Sequence, residues 1–205
     1  MANTTEPIEI FANSQITVKG VCEFRENTKT FDFLALAKSR RSVRGYKEDK
    51  DVTKEQLIHL IDAAQSAPSG GNCQPWHFYA IKDKKIQAEI HEKSCGQPSI
   101  LSASAIIVVC VESGRSAERY AERGRDLYSI QDTAAAIQNI LLCAHSMGLS
   151  TCWCGAFDEE KLSEVLNLPD KFRPIGLIPI GYPAEESYPP QNRRPIEEIS
   201  TFIGC

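Results

Sequence analysis

A chain of 205 residues can bury a sizeable core and fits one domain with extensions better than two. Its formal net charge of −4 gives no global attraction for nucleic acid or an anionic membrane, so any bound anion must be held by a local cluster. The apolar runs over 105–111 and 175–180 fall far short of the roughly 20 residues that span a bilayer, which argues against a membrane span.

Residues 1–30 are polar and mixed in charge, without the basic start and apolar stretch of a signal peptide. They read as an arm of unassigned function preceding a domain over 31–205, in a protein expected in the cytoplasm. Phe31, Leu34, Leu36 and Ala37 predict a short amphipathic helix over 31–39. Thr53 and Gln56 form a capping box, after which Leu57, Leu60, Ile61 and Ala64 mark a helical face running to Ser66. Pro68, Gly70 and Gly71 stop it.

Alternation and aromatic content predict a strand over 76–81, followed by a helix over 84–93 and a buried strand over 105–111. Glu118, Arg119, Glu122, Arg123 and Arg125 alternate in sign on a predicted helix, the pattern of a solvated face. The longest helix spans 129–147, with Ile130, Ala134, Ile137, Leu141 and Ala144 on one stripe and Gly148 as its cap. A strand over 150–154, a helix over 159–166 capped by Asp158, and a strand over 174–181 follow. The proline-rich stretch over 183–195 should run along a surface. This order of elements predicts a layered α+β domain.

Eight cysteines stand at 22, 73, 95, 110, 143, 152, 154 and 205, and none shows the C-x-x-C spacing of zinc or thioredoxin-like sites. They read mainly as small buried hydrophobes. Cys152 and Cys154 are the one close pair and would share a strand face, which leaves a metal or redox role as an alternative. His59, His77, His91 and His145 are dispersed and read as structural or exposed.

No dinucleotide-binding glycine fingerprint, P-loop or HExxH motif is present. Ser39, Arg40, Arg41, Ser42 and Arg44 instead place three guanidinium groups and two hydroxyls within six residues, donors that match phosphate oxygens. A solvated basic turn would account for this segment equally well. A second cluster, Pro68-Ser69-Gly70-Gly71-Asn72-Cys73-Gln74-Pro75-Trp76, lets backbone and amide groups approach a planar ligand. A plain helix-to-strand turn explains its glycines and prolines but not its density of hydrogen-bonding side chains.

Together these two segments resemble the N-terminal signature of the nitroreductase family. Segments 130–139, 148–157 and 192–198 are similar to the family's central helix, the strand and turn after it, and its C-terminal basic motif. The resemblance covers about 31–199. It implies an α+β layered fold with a central mixed, mostly antiparallel sheet flanked by helices, in an intertwined homodimer with two FMN sites built from both chains. By that resemblance Arg40, Arg41 and Ser42 fall where the family binds the FMN phosphate and ribityl chain, and Arg194, with Arg193 as its partner, where it adds a further phosphate contact. Arg44 falls at the pyrimidine edge, where a cation stabilises the reduced flavin. Pro68, Ser69, Gly70 and Asn72 would reach the flavin from the partner subunit. Trp153, Cys154 and Gly155 match the segment over one flavin face, with a backbone N–H of Cys154 or Gly155 directed at N5; some relatives carry glutamate where Cys154 stands. Gln97 falls near the flavin edge.

The implied activity is ping-pong hydride transfer from NADH or NADPH through FMN to a small acceptor such as a nitroaromatic or quinone, with no side chain assigned as catalytic. A dehalogenase or flavin-cleaving enzyme of the same fold, a non-catalytic nucleotide-binding module and a thiol redox protein are the competing readings.

Overall fold

A computed structural model of the chain describes residues 33–185 and 188–204. The arm over 1–30, with Cys22, and the terminal Cys205 lie outside the described residues. In chain order the elements are α1 (Phe33–Ser39), α2 (Lys54–Gln65), a 3-10 turn (Gly70–Asn72), β1 (Trp76–Ile81), α3 (Lys84–Lys93), α4 (Pro98–Ser102) and β2 (Ala105–Val111). After these come α5 (Ser113–Arg123), a π turn (Gly124–Tyr128), α6 (Ser129–Ser146), β3 (Ser150–Thr151), α7 (Glu159–Leu166), β4 (Arg173–Gly181) and α8 (Ile196–Ile199).

The helix starts follow local side-chain chemistry. Thr53 accepts from the Gln56 N–H while the Gln56 side chain accepts from the Thr53 N–H, the reciprocal box read from sequence. Asp83 and Asp158 cap α3 and α7 by accepting first-turn N–H groups. Gly148 takes φ 72° after α6, the left-handed cap expected of it. The short α4, with proline in its first turn, was not read from sequence.

The four strands form one sheet in the order β1-β2-β4-β3, and every ladder is antiparallel. Among the described residues a single parallel bridge, Ser42 to Thr151, adds the segment after α1 to its β3 edge. β2 is buried along its whole length because helices cover both faces. Ala105, Ile107 and Val109 pack with α2 and α6, whereas Ile106, Val108 and Cys110 pack with Ile90, Ile100 and Leu162 of α3, α4 and α7. Burial on both faces is why the strand reads as a continuous apolar run.

Two expectations change in detail. The strand over 150–154 is interrupted: Ser150 and Thr151 pair with β4, and Cys154 alone rejoins it by a two-bond bridge to Leu177. The register places Cys152 opposite Pro179, which has no N–H to donate, so the ladder stops there. On α6 the buried face runs through Ser129, Thr133, Ala136, Ile137, Ile140, Leu141 and Ala144, while Ile130 and Ala134 are only half-buried. The hydroxyls of Ser129 and Thr133 are buried at no cost in unmade bonds, because each donates to the carbonyl four residues earlier.

Candidate functional site

The basic segment after α1 is docked rather than solvated. The Val43 N–H donates to the Thr151 carbonyl at 2.9 Å, and the buried Tyr46 hydroxyl reaches the carbonyls of Val43 and Pro179 at 2.7 and 3.0 Å. Burial holds the Tyr46 phenol far above its ordinary range. This anchorage leaves Arg40 and Arg41 lining a cavity of about 230 Å³ together with Ser39, His145, Ser150, Glu185 and Tyr188.

Two guanidinium groups, Arg40 and Arg41, line it. Burial lowers the proton affinity of Arg40, and repulsion from Arg193 and Arg41 lowers it further, so the charge of the C-terminal Arg193 is felt at Arg40. Arg41 donates from Nη1 to the carbonyls of Lys38 and Arg40 at 2.6 and 3.0 Å, and from Nε to Pro189 at 3.0 Å. It therefore ties the C-terminal stretch to the end of α1. His145, from the last turn of α6, places Nε2 2.8 Å from the Ser39 hydroxyl. Burial, then Arg40 and Arg41, holds its imidazole below the usual range. His145, which read as structural or exposed in the sequence, is half-buried and lines the cavity beside Ser39 of the basic segment.

Arg194 is placed elsewhere, donating to the side chain and carbonyl of Glu198 on α8. Arg44 is exposed. Its charge, with that of Arg40, reaches Cys152, whose thiol is drawn below its ordinary range chiefly by the neighbouring Cys154 thiol.

A second constellation forms around Cys154. Its thiol donates to Oε1 of Gln97 at 3.3 Å, while the Cys95 thiol donates to the Ala156 carbonyl at 3.7 Å. The two segments are stitched further by the Asp158 N–H on the Ser94 carbonyl at 3.0 Å. Cys152 and Cys154 are both buried in the core shared with α3, α4 and α7, on one face as their spacing predicts. Trp153 between them is 39% exposed, its Nε1 edge over Gly176, where a Cβ would lie 2.8 Å away. Above Gly155 the space is open. An exposed indole beside an open glycine is a platform on which a flat ring can lie.

The glycine loop is the third constellation. Gly71, Asn72 and Gln74 all take left-handed backbone, at φ 54°, 58° and 48°. The Gly70 N–H donates to Asp132 of α6 at 3.0 Å and the Gln74 N–H to the Ser69 hydroxyl at 3.0 Å. The carbonyls of Gly71 and Cys73 accept from Arg119 at 2.8 Å and Arg115 at 2.9 Å. Arg119 is exposed, as expected of a solvated face, and from there also reaches the loop, while Arg123 donates to the Tyr128 hydroxyl. Among the described residues no hydrogen bond joins this loop to the Arg40 cluster, whereas Gln97 and Cys154 are brought together.

The Nitroreductase family model matches residues 37–105 and 92–182. The chain is 34% identical over 157 residues to a provisionally named NADH dehydrogenase/NAD(P)H nitroreductase of Archaeoglobus fulgidus, a match covering 75% of this chain and 86% of that relative. It is 32% identical over 160 residues to an FMN reductase [NAD(P)H] of Bacillus subtilis, covering 72% of this chain and 64% of that one. A crystal structure of a provisionally named NADH dehydrogenase/NAD(P)H nitroreductase from Parabacteroides distasonis superimposes with a TM-score of 0.72 at 31% identity, covering 82% of this chain and 96% of that one. With its sheet, its helix order and most of its length matched, the chain belongs to the nitroreductase family.

Proposed function

We propose that the chain is an FMN-dependent oxidoreductase that takes hydride from NADH or NADPH and delivers it to a small oxidised acceptor such as a nitroaromatic or a quinone. The observation that carries this reading is the grouping of Arg40 and Arg41 with Ser39 and His145 around one cavity, with the charge of Arg193 felt at Arg40. Like charges held this close, one of them half-buried, raise the affinity for an anion that offsets their repulsion. A phosphate monoester has the oxygens these donors require, so the residues present fit the FMN phosphate. Arg40, Arg41, Ser42 and Arg193 would hold it, with Arg194 able to join if it leaves Glu198.

Bound FMN would supply a ring nitrogen that accepts hydride from the nucleotide and then releases it to the acceptor in a ping-pong cycle, with the acceptor's protons taken from solvent rather than from a dedicated acid. The chain's part is position and electrostatics. The Arg44 cation would face the pyrimidine edge, Trp153 and Gly155 would lie against the ring face, and the Cys154 or Gly155 N–H would be offered to the ring. Gln97, oriented by the Cys154 thiol, would stand at the ring edge. Pro68, Ser69, Gly70 and Asn72, held away from the Arg40 cluster within one chain, would serve the site of a second copy.

A homodimer is supported by unpartnered apolar side chains on the terminal segments: Phe33, Leu34, Ile196, Ile199, Phe202 and Ile203 are all more than half exposed. Among the described residues no helix is long and apolar enough to cross a membrane.

Titrating the flavin-free protein with FMN and with riboflavin tests the phosphate assignment. Several charge-assisted bonds predict FMN binding at least about a hundredfold tighter. Equal affinities would contradict it.

A further inference from the structure

The glycine loop is seated on α5 by contacts that no plain turn needs. Gly71, at φ 54°, sits directly under the clamp: a Cβ there would lie 2.6 Å from the Tyr120 hydroxyl and 2.7 Å from the Arg119 guanidinium, so a side chain would displace both. The Arg119 guanidinium lies 5.6 Å from the centre of the Tyr120 ring while its Nη1 donates to the Gly71 carbonyl. Arg115, one helical turn earlier, does the same for Cys73. Asn72 and Gln74 adopt a left-handed backbone that side-chain-bearing residues rarely take, and such conformations persist only where the surroundings over-determine them.

The clamp is itself held in place by an irregular turn. α5 breaks at Ala121, with φ 50° and ψ −136°, and re-enters α6 through the π turn. A Cβ on Gly124 would collide with the Ser116 carbonyl, so only glycine lets the turn close. Closure brings Tyr128 edge-on to Tyr120, ring centres 5.2 Å apart, beneath Gly70. Asp132, one turn into α6, then meets the Gly70 N–H. Interrupted helices of this kind commonly mark functional sites.

We propose that Arg119, assisted by Arg115, is a positioning residue: it turns the loop carbonyls toward α5 and so leaves Ser69 and Asn72 presented to the flavin of a neighbouring copy. This role rests on the flavin reading above. Arg119 touches neither cofactor nor substrate in it, and acts through the backbone of Gly71.

The test pairs hydrogen exchange of the 68–76 segment with FMN titration, on the full-length wild type, Arg119→Ala, Arg119→Lys and the double variant Arg115→Ala/Arg119→Ala. Loss of one charge-assisted bond should speed exchange at 71–74 and weaken FMN binding, each by about tenfold in Arg119→Ala. Arg119→Lys, whose ammonium can still donate to the Gly71 carbonyl, should recover FMN affinity to within about threefold of wild type. Unchanged exchange in the double variant would overturn the clamp. Faster exchange with wild-type FMN affinity would overturn its role in positioning. Wild type that binds no FMN would contradict the flavin reading instead, and the exchange arm would still decide whether the clamp exists.

Discussion

The Ser39 hydroxyl lies 2.8 Å from Nε2 of His145, across 106 positions of sequence. The contact closes one wall of the arginine-lined cavity and gives the end of α6 a part in it. Because burial, then Arg40 and Arg41, holds the imidazole below its ordinary range, the folded chain gives up this proton more readily than the unfolded chain does. Between the folded value and about 6.5 the unfolded state therefore binds more protons, and stability falls as pH drops through that window. Flavin-free His145→Gln should lose less of its thermal midpoint than wild type between about pH 7 and about pH 5. Equal losses would refute the assignment.

Arg41 both faces the cavity and ties the chain ends together. Arg41→Ala removes its donors to Lys38, Arg40 and Pro189. FMN affinity should fall by about tenfold or more, from loss of one charged partner and loosening of the stretch that carries Arg193. Flavin occupancy of the purified variant measures this, and full occupancy would speak against the phosphate role.

Tyr46 anchors the basic segment to the sheet through one shared hydroxyl. Tyr46→Phe leaves the carbonyls of Val43 and Pro179 without that donor in a buried setting. A loss of about 1–3 kcal/mol in a urea unfolding experiment is expected. An unchanged midpoint would mean that water replaces the hydroxyl and that the segment is less tightly docked than its geometry implies.

The buried face of α6 separates two isoleucines that its sequence periodicity places on one stripe. Ile137 is fully buried among residues of α2, β2 and β4, whereas Ile130 is half-buried. Ile137→Ala should cost about 2–5 kcal/mol and Ile130→Ala clearly less. Equal costs would return the helix to the orientation its stripe suggests.

Local chemistry explains what could be read in advance. The Thr53 box, the Asp83 and Asp158 caps, the alternating strand β1 and the doubly covered strand β2 are set by residues within a few positions of one another. The basic segment and the glycine loop stood out in the sequence by their density of guanidinium, hydroxyl and amide donors, which is what assigns them to a phosphate and a planar ligand in the proposed function. What could not be read depends on partners far along the chain. β3 stops because Pro179 stands across from Cys152, and no pattern within 150–154 announces it. Arg119 is exposed, as its sign pattern suggests, but its bond to the Gly71 carbonyl could not be read because that partner lies 48 residues away. His145 looks structural until the fold sets it beside Ser39.

The most direct test of the flavin assignment is the visible absorption spectrum of the purified protein, recorded before and after anaerobic addition of NADH and then of NADPH. A flavin spectrum that bleaches with one or both donors, and returns when a quinone is added, is the predicted result. A protein that stays colourless after incubation with FMN, or a flavin band that neither donor bleaches, would contradict it.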